Sequence, residues 1–220
     1  MVTLSTLEVY QAIFTMIFVV IAILLGIRIC LRYFEYKRRE LYLAGLTIIL
    51  MVAPYIYPVI DFFWIISYND SAPVEIIYLG IGFVAIANLT WLTLITDLLY
   101  KQKQKIILII IAAQLIAFEI FLIYAILVQP TLILIPYGGH LYREAPILIF
   151  YYLFSIVLFL TAGFMFVRGS LKSENKETRL KGKIICIALI SYVVGAVLDF
   201  AIEPTIFSET LARLVQISAF

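Results

Sequence analysis

"VYQAIFTMIFVVIAILLGIRICLRY", Val9–Tyr33, decides the fold class. At about 1.5 Å per residue, a helix over this run exceeds the roughly 30 Å hydrocarbon core of a bilayer. No charge interrupts it before Arg28. The run is too long for a cleavable signal peptide, lacks a basic leader, and is followed rather than preceded by its positive charges. The pattern recurs along the 220 residues, which are 65% hydrophobic with a mean hydropathy of +1.10. A soluble domain is typically about 45–50% apolar.

Seven apolar segments follow from this signal: 9–33, 41–66, 75–100, 106–128, 146–167, 183–202 and 206–220. The expectation is an all-α polytopic bundle of seven helices in a single domain. The first six reach bilayer thickness, whereas the seventh reaches only about 22 Å and reads as cut short, with a cytoplasmic continuation missing.

Of 16 Lys and Arg residues, five lie in 28–39, three in 101–105 and six in 168–183. These groups sit at alternate ends of successive segments, so they share one side, which the positive-inside rule makes cytoplasmic. The N-terminus is then outside. The basic inner loops, above all 168–183, suit anionic lipid or a cytoplasmic signalling partner. A net charge of +2 is too small to argue for nucleic acid. Cys30 and Cys186 fall near the basic helix ends, where free thiols are expected.

Within the apolar segments, a few polar residues stand out. "VAPYIYPVIDFF", Val52–Phe63, carries Pro54 and Pro58, which should break or unwind the second helix. Tyr55 and Tyr57 add hydroxyls beside the freed carbonyls. Asp61, Asp199, Arg213 and Glu203 form a candidate outer layer, since ionisable groups at such depth face the bundle interior, a partner or water. Asp199 is the expected partner of Arg213, leaving Asp61 for a ligand, a cation or water. The plainer alternative is a structural Asp199–Arg213 pair with Asp61 reaching toward the interface. Glu119, one turn beyond Gln114, is the deepest carboxylate. It reads as a proton site, a ligand contact, or an interhelical hydrogen bond to Asn88, Thr90 or Thr93. Asp97 should form an ion pair with a basic residue at the inner face, near Lys101, Arg28 and Arg32. Thr131–Ile135 and His140–Arg143 flank "PYGG", which suits a β-hairpin or a lid, or an interfacial loop with Tyr137 and Tyr142 at headgroup level. "PVIDFF" (58–63) and "AVLDFA" (196–201) form a faint internal repeat of the parallel kind found in transporters.

Enzyme chemistry has the least support. His140 is the one histidine, and no zinc-ligand spacing, nucleotide-binding loop or catalytic triad is present. No cofactor is expected.

"FEYKRRELYLAG" (34–45), "TDLLYKQKQK" (96–105), "SLKSENKETRLKGK" (170–183) and "GAVLD" (195–199) together resemble a group of uncharacterised multi-span archaeal membrane proteins. The seven-helix, N-outside layout is similar to the N-terminal sensor regions of some membrane histidine kinases. That similarity implies a sensor or receptor-like module, and the polar residues within the apolar segments supply its candidate ligand-binding positions in an outward-facing pocket: Asp61, Asp199, Arg213, Tyr55, Tyr57, Glu119 and Asn88. The alternative is a small secondary transporter or channel for a cation or small polar solute, as a monomer or an oligomer. A structural membrane subunit without a ligand is the third reading.

Overall fold

A computed structural model describes residues 4–136, 142–201 and 205–220 of the chain. Tyr137, His140 and Glu203 lie outside these residues. Helix α1 spans Thr6–Tyr36 and opens on a capping box, in which Ser5 Oγ accepts from Glu8 N while the Glu8 carboxylate accepts from Ser5 N. It stops where Lys37 adopts the left-handed region at φ 53°.

The second apolar segment is broken, as its prolines dictate. Helix α2 (Arg39–Met51) ends before a 3₁₀ turn over Ala53–Tyr55, and α3 (Ile56–Tyr68) resumes after it. Pro54 has no N–H to continue the ladder. Pro58 is the third residue of α3, where a backbone N–H would have no intrahelical acceptor in any case.

Then come α4 (Glu75–Leu99), α5 (Gln104–Val128), strands β1 (Leu134–Pro136) and β2 (Tyr142–Glu144), α6 (Pro146–Leu171), α7 (Lys176–Ala201) and α8 (Ile206–Ile217). The strands pair antiparallel, Leu134 opposite Glu144 and Pro136 opposite Tyr142, so the flanks of "PYGG" do form a hairpin. Its base is anchored on α4 by Tyr78, whose hydroxyl donates to the Pro130 carbonyl at 3.1 Å. Ile133 and Leu134 are buried against Tyr78, Ile81 and Leu148.

Six helices are long and apolar enough to cross a membrane: α1, α2 with α3, α4, α5, α6 and α7. The 12-residue α8 is not among them, at about 18 Å. Its polarity is inside out. Ser208, Glu209, Arg213 and Gln216 are buried, while Phe207 (77% exposed), Leu211 and Leu214 face outward. α5 likewise presents Ile106, Ile109, Ile116, Ile120, Ile123 and Leu127. Apolar exposure on this scale is unfavourable in water and ordinary in lipid.

The helices close a ring: α1 packs on α2, α2 on α4, α4 on α6, α6 on α7, α7 on α8, and α8 back on α1. α5 lies outside the ring, on α4. The basic groups share one end. Arg39 Nε lies 3.3 Å from Asp97 Oδ2, and Gln104 Nε2 donates to Asp97 Oδ1 at 2.7 Å. A Cβ at Gly169 would meet Leu99 at 3.6 Å, which sets the end of α6 beside the end of α4. Asp97 therefore pairs with Arg39 rather than with Lys101, Arg28 or Arg32. Since Arg39 is largely exposed, the pair contributes about 1 kcal/mol or less. The expected 16-residue basic loop is mostly helix: α6 continues to Leu171 and α7 begins at Lys176, leaving four residues between them. Arg168 sits on the extension of α6, and Lys176, Arg179, Lys181 and Lys183 on that of α7, because "SLKSENKETRLKGK" leaves helical structure only over the turn at 172–175.

Candidate functional site

At the end opposite the basic groups, the ring encloses a cavity of about 360 Å³. Six sequence candidates line it: Asp61, Asp199, Arg213, Tyr55, Tyr57 and Asn88. Leu4 and Glu8, at the start of α1, and Leu134 of β1 line its outer part. Met51, Asn88, Ser155 and Phe159 form its floor. The volume falls within the roughly 300–1,000 Å³ of small-molecule sites.

Arg213 organises one wall. It is 3% exposed, and its guanidinium stands over the Tyr55 ring at 4.7 Å from the centroid. Nη1 donates to Asp199 Oδ2 at 2.6 Å and to Gln216 Oε1 at 2.8 Å; Nε donates to Thr15 Oγ1 at 3.0 Å. Glu209 Oε2 is an ionic neighbour of Nη2 at 3.6 Å, too far for a hydrogen bond. Gln216, fully buried, completes the network by donating from Nε2 to Tyr55 Oη at 3.0 Å and to Asp199 Oδ2 at 3.1 Å. The expected Asp199–Arg213 pair is thus present, within a five-residue cluster that joins α1, α7, α8 and the break after α2.

Local sequence explains why α8 reaches this depth. Glu209, Arg213 and Gln216 recur at spacings of four and three, which places them on one helical face. Gly195 of α7 accepts that face: a Cβ there would run into Gln216 Cγ and lie 2.8 Å from the Ala212 carbonyl.

Asp61 requires a correction. It lines the cavity, but its Oδ1 is not left over for a ligand, because it accepts from Ala72 N at 2.7 Å and closes the turn after α3. Asn88 and Glu119 are not brought together either. Asn88 donates to Ser155 Oγ at 2.8 Å, Thr90 pairs with Thr47 at 2.9 Å, and Thr93 bonds the Leu89 carbonyl. Glu119 instead lies against Gly82, its Oε2 3.2 Å from where a Cβ would stand. Gly82 and Asn88 are six positions apart on α4, about 120° around the helix at 100° per residue, and Asn88 spends its amide on Ser155 rather than on Glu119. Glu119 is therefore not in the cavity.

Sequence reasoning missed Glu8, Thr15, Ser155, Tyr192, Glu209 and Gln216. The spacing of Glu209 and Gln216 around Arg213 was the available signal. Thr15 and Ser155 carried none, being single hydroxyls in apolar helices.

Tyr192 donates to the Met51 carbonyl at 3.2 Å, one of the groups left by the helix break, and its ring borders the cavity with Phe159. Among the described residues, no group of three or more His, Cys, Asp and Glu side chains is placed to hold a metal. The arrangement gathers carboxyl groups, tyrosine hydroxyls and aromatic faces around one space. No protein-family model, curated protein or solved structure matches the chain.

Proposed function

We propose that the chain is a multi-span membrane module of the sensor or receptor type, holding a small ligand in an outward-facing cavity and relaying occupancy to a cytoplasmic partner or to anionic lipid at the basic end. One observation carries the reading: the cavity converges on α8, whose polar face holds Arg213 and Gln216 between Asp199, Thr15 and Tyr55. A ligand touching Asp199 or Tyr55 acts on contacts that hold α8 to α1 and α7. Orientation follows from the basic end being cytoplasmic.

A transporter or channel for a cation or small polar solute is the second reading. The unwound Ala53–Tyr55 turn beside the cavity favours it, since broken helices line the substrate sites of carriers. Against it, the basic end is packed, with Arg39, Asp97 and Gln104 bonded across α2, α4 and α5.

The test begins with Ser155→Cys in a Cys30→Ser/Cys186→Ser background, in nanodiscs. The cavity-floor thiol should react with neutral 2-hydroxyethyl methanethiosulfonate, and a thiol that stays inert refutes an open cavity. Proteoliposomes should then show no protein-dependent flux of radiolabelled sodium, methylammonium or glycine. Flux above empty liposomes would replace the sensor reading with the transporter one.

A further inference from the structure

The lining of the cavity is lopsided in charge. Four carboxyl side chains border it, Glu8, Asp61, Asp199 and Glu209, against one basic side chain among the described lining residues, Arg213. That arginine is already committed. Its Nε and Nη1 donate to Thr15, Asp199 and Gln216, and its Nη2 faces Glu209. An anion entering here would meet a guanidinium whose charge is already shared with two carboxylates.

The same cluster leaves acceptors without donors. Asp199 Oδ1 and Glu209 Oε2 are buried and have no hydrogen-bond partner among the described residues. Their side chains are 16% and 8% exposed, and both residues border the cavity. Both carboxylates bracket one guanidinium, so two negative groups share a single positive one. A buried acceptor left unmade costs free energy that a donor in the cavity would recover. The remaining surface is mainly apolar and aromatic, with Phe62, Tyr152, Phe159 and Tyr192 facing the same space. Aromatic faces favour cations over anions.

From this combination we infer that the occupant of the cavity is an organic ammonium: a protonated amine or quaternary ammonium group directed at Asp199 and Glu209, carrying an apolar body that rests on the aromatic wall. The inference depends on the cavity reading above and names its ligand class. A bare metal cation would leave the aromatic surface unused, and an anion would meet four carboxyl groups for one arginine.

The test uses the same Ser155→Cys protein in nanodiscs with three thiol reagents: neutral 2-hydroxyethyl, cationic 2-(trimethylammonio)ethyl and anionic 2-sulfonatoethyl methanethiosulfonate. Rates are normalised to those with free 2-mercaptoethanol. The cationic reagent should exceed the anionic one by about tenfold or more, equivalent to roughly 1.4 kcal/mol of differential attraction. 2-Phenylethylammonium should slow the neutral reagent, and 3-phenylpropanoate should not. Glu209→Gln, which leaves the Asp199–Arg213 pair in place, should reduce the charge preference, so the result does not depend on the folding of an Asp199 variant. If the neutral reagent reacts but the cationic one shows no advantage, or 3-phenylpropanoate protects equally well, the ammonium assignment is overturned and the open cavity stands. If the neutral reagent does not react, both fall.

Discussion

Gln216 Nε2 donates to Tyr55 Oη at 3.0 Å across 161 positions of sequence. This bond ties α8 to the 3₁₀ turn that interrupts the second apolar segment. Tyr55 also packs edge-on against Phe18 of α1, with ring centroids 5.3 Å apart. The break in that segment is thus held in place by two distant helices as well as by its own turn bonds, such as Tyr55 N to the Val52 carbonyl at 3.0 Å.

Gln216→Leu and Tyr55→Phe should each lower the melting temperature of the purified protein, because each strands a buried partner, at about 1–3 kcal/mol. Together they should cost less than the sum, since the bond can be lost only once. Strict additivity in thermal unfolding would mean the two groups do not interact.

Gly26 and Gly45 let α1 and α2 approach closely. A Cβ on Gly45 would collide with the Gly26 carbonyl, and would stand 2.7 Å from Cys30 N. Gly45→Ala should therefore force the helices apart and cost about 1–3 kcal/mol, the usual range for overpacking. Gly169→Ala is the control: its Cβ would touch only Leu99, at 3.6 Å, an ordinary contact. Equal stability of the two alanine variants would show that the α1–α2 contact is not close-packed.

These elements differ in how readable they are from sequence. The spans were legible because a bilayer imposes length and apolarity on every helix. The break at Pro54 was legible because proline removes a donor wherever it stands. The Asp199–Arg213 pair followed from depth alone. Glu119 did not: depth says nothing of azimuth, and Asn88 bonds Ser155 rather than Glu119. The role of α8 was hidden because its segment read as a shortened span, although the polar residues of "SETLARLVQ" share one face. The extent of the α6–α7 extensions was missed because apolar segments end where lipid ends, whereas helices do not.

Glu119 gives a sharp contrast among substitutions. Its Oε1 is buried without a hydrogen-bond partner among the described residues. Replacing it with leucine removes a desolvated polar group and breaks no bond involving that oxygen, so Glu119→Leu should match or exceed the parent in thermal stability. Glu119→Lys puts a charge at the same depth and should cost roughly 2.5–3.5 kcal/mol. Loss of stability in the leucine variant would reveal a polar role for the carboxylate.

Orientation can be read by labelling. Asp70, exposed after α3, and Glu174, exposed between α6 and α7, lie at opposite ends of the bundle. In the Cys30→Ser/Cys186→Ser background, Asp70→Cys should react with an impermeant maleimide on intact cells, and Glu174→Cys only after lysis. The reverse pattern would invert the assignment and turn the cavity toward the cytoplasm.

The carboxylates around Arg213 should not be equivalent. Asp199 makes a hydrogen-bonded ion pair at 2.6 Å and accepts from Gln216 as well, while Glu209 stands at 3.6 Å with a long bond from Gln11 at 3.5 Å. Removing one member of a close buried pair leaves the other charge unpaired, typically at about 3–5 kcal/mol. Arg213→Gln and Asp199→Asn should each approach that loss. Glu209→Gln should cost under about 1 kcal/mol, because it gives up a longer ionic contact and relieves crowding of two carboxylates on one cation. The Asp199→Asn/Arg213→Gln double variant should be more stable than the sum of the single losses predicts, since neither charge is then left alone. Thermal unfolding in one detergent reads all four proteins. If Glu209→Gln proves as damaging as Asp199→Asn, Glu209 belongs to the structural clamp and its oxygen is not available to an ammonium ligand.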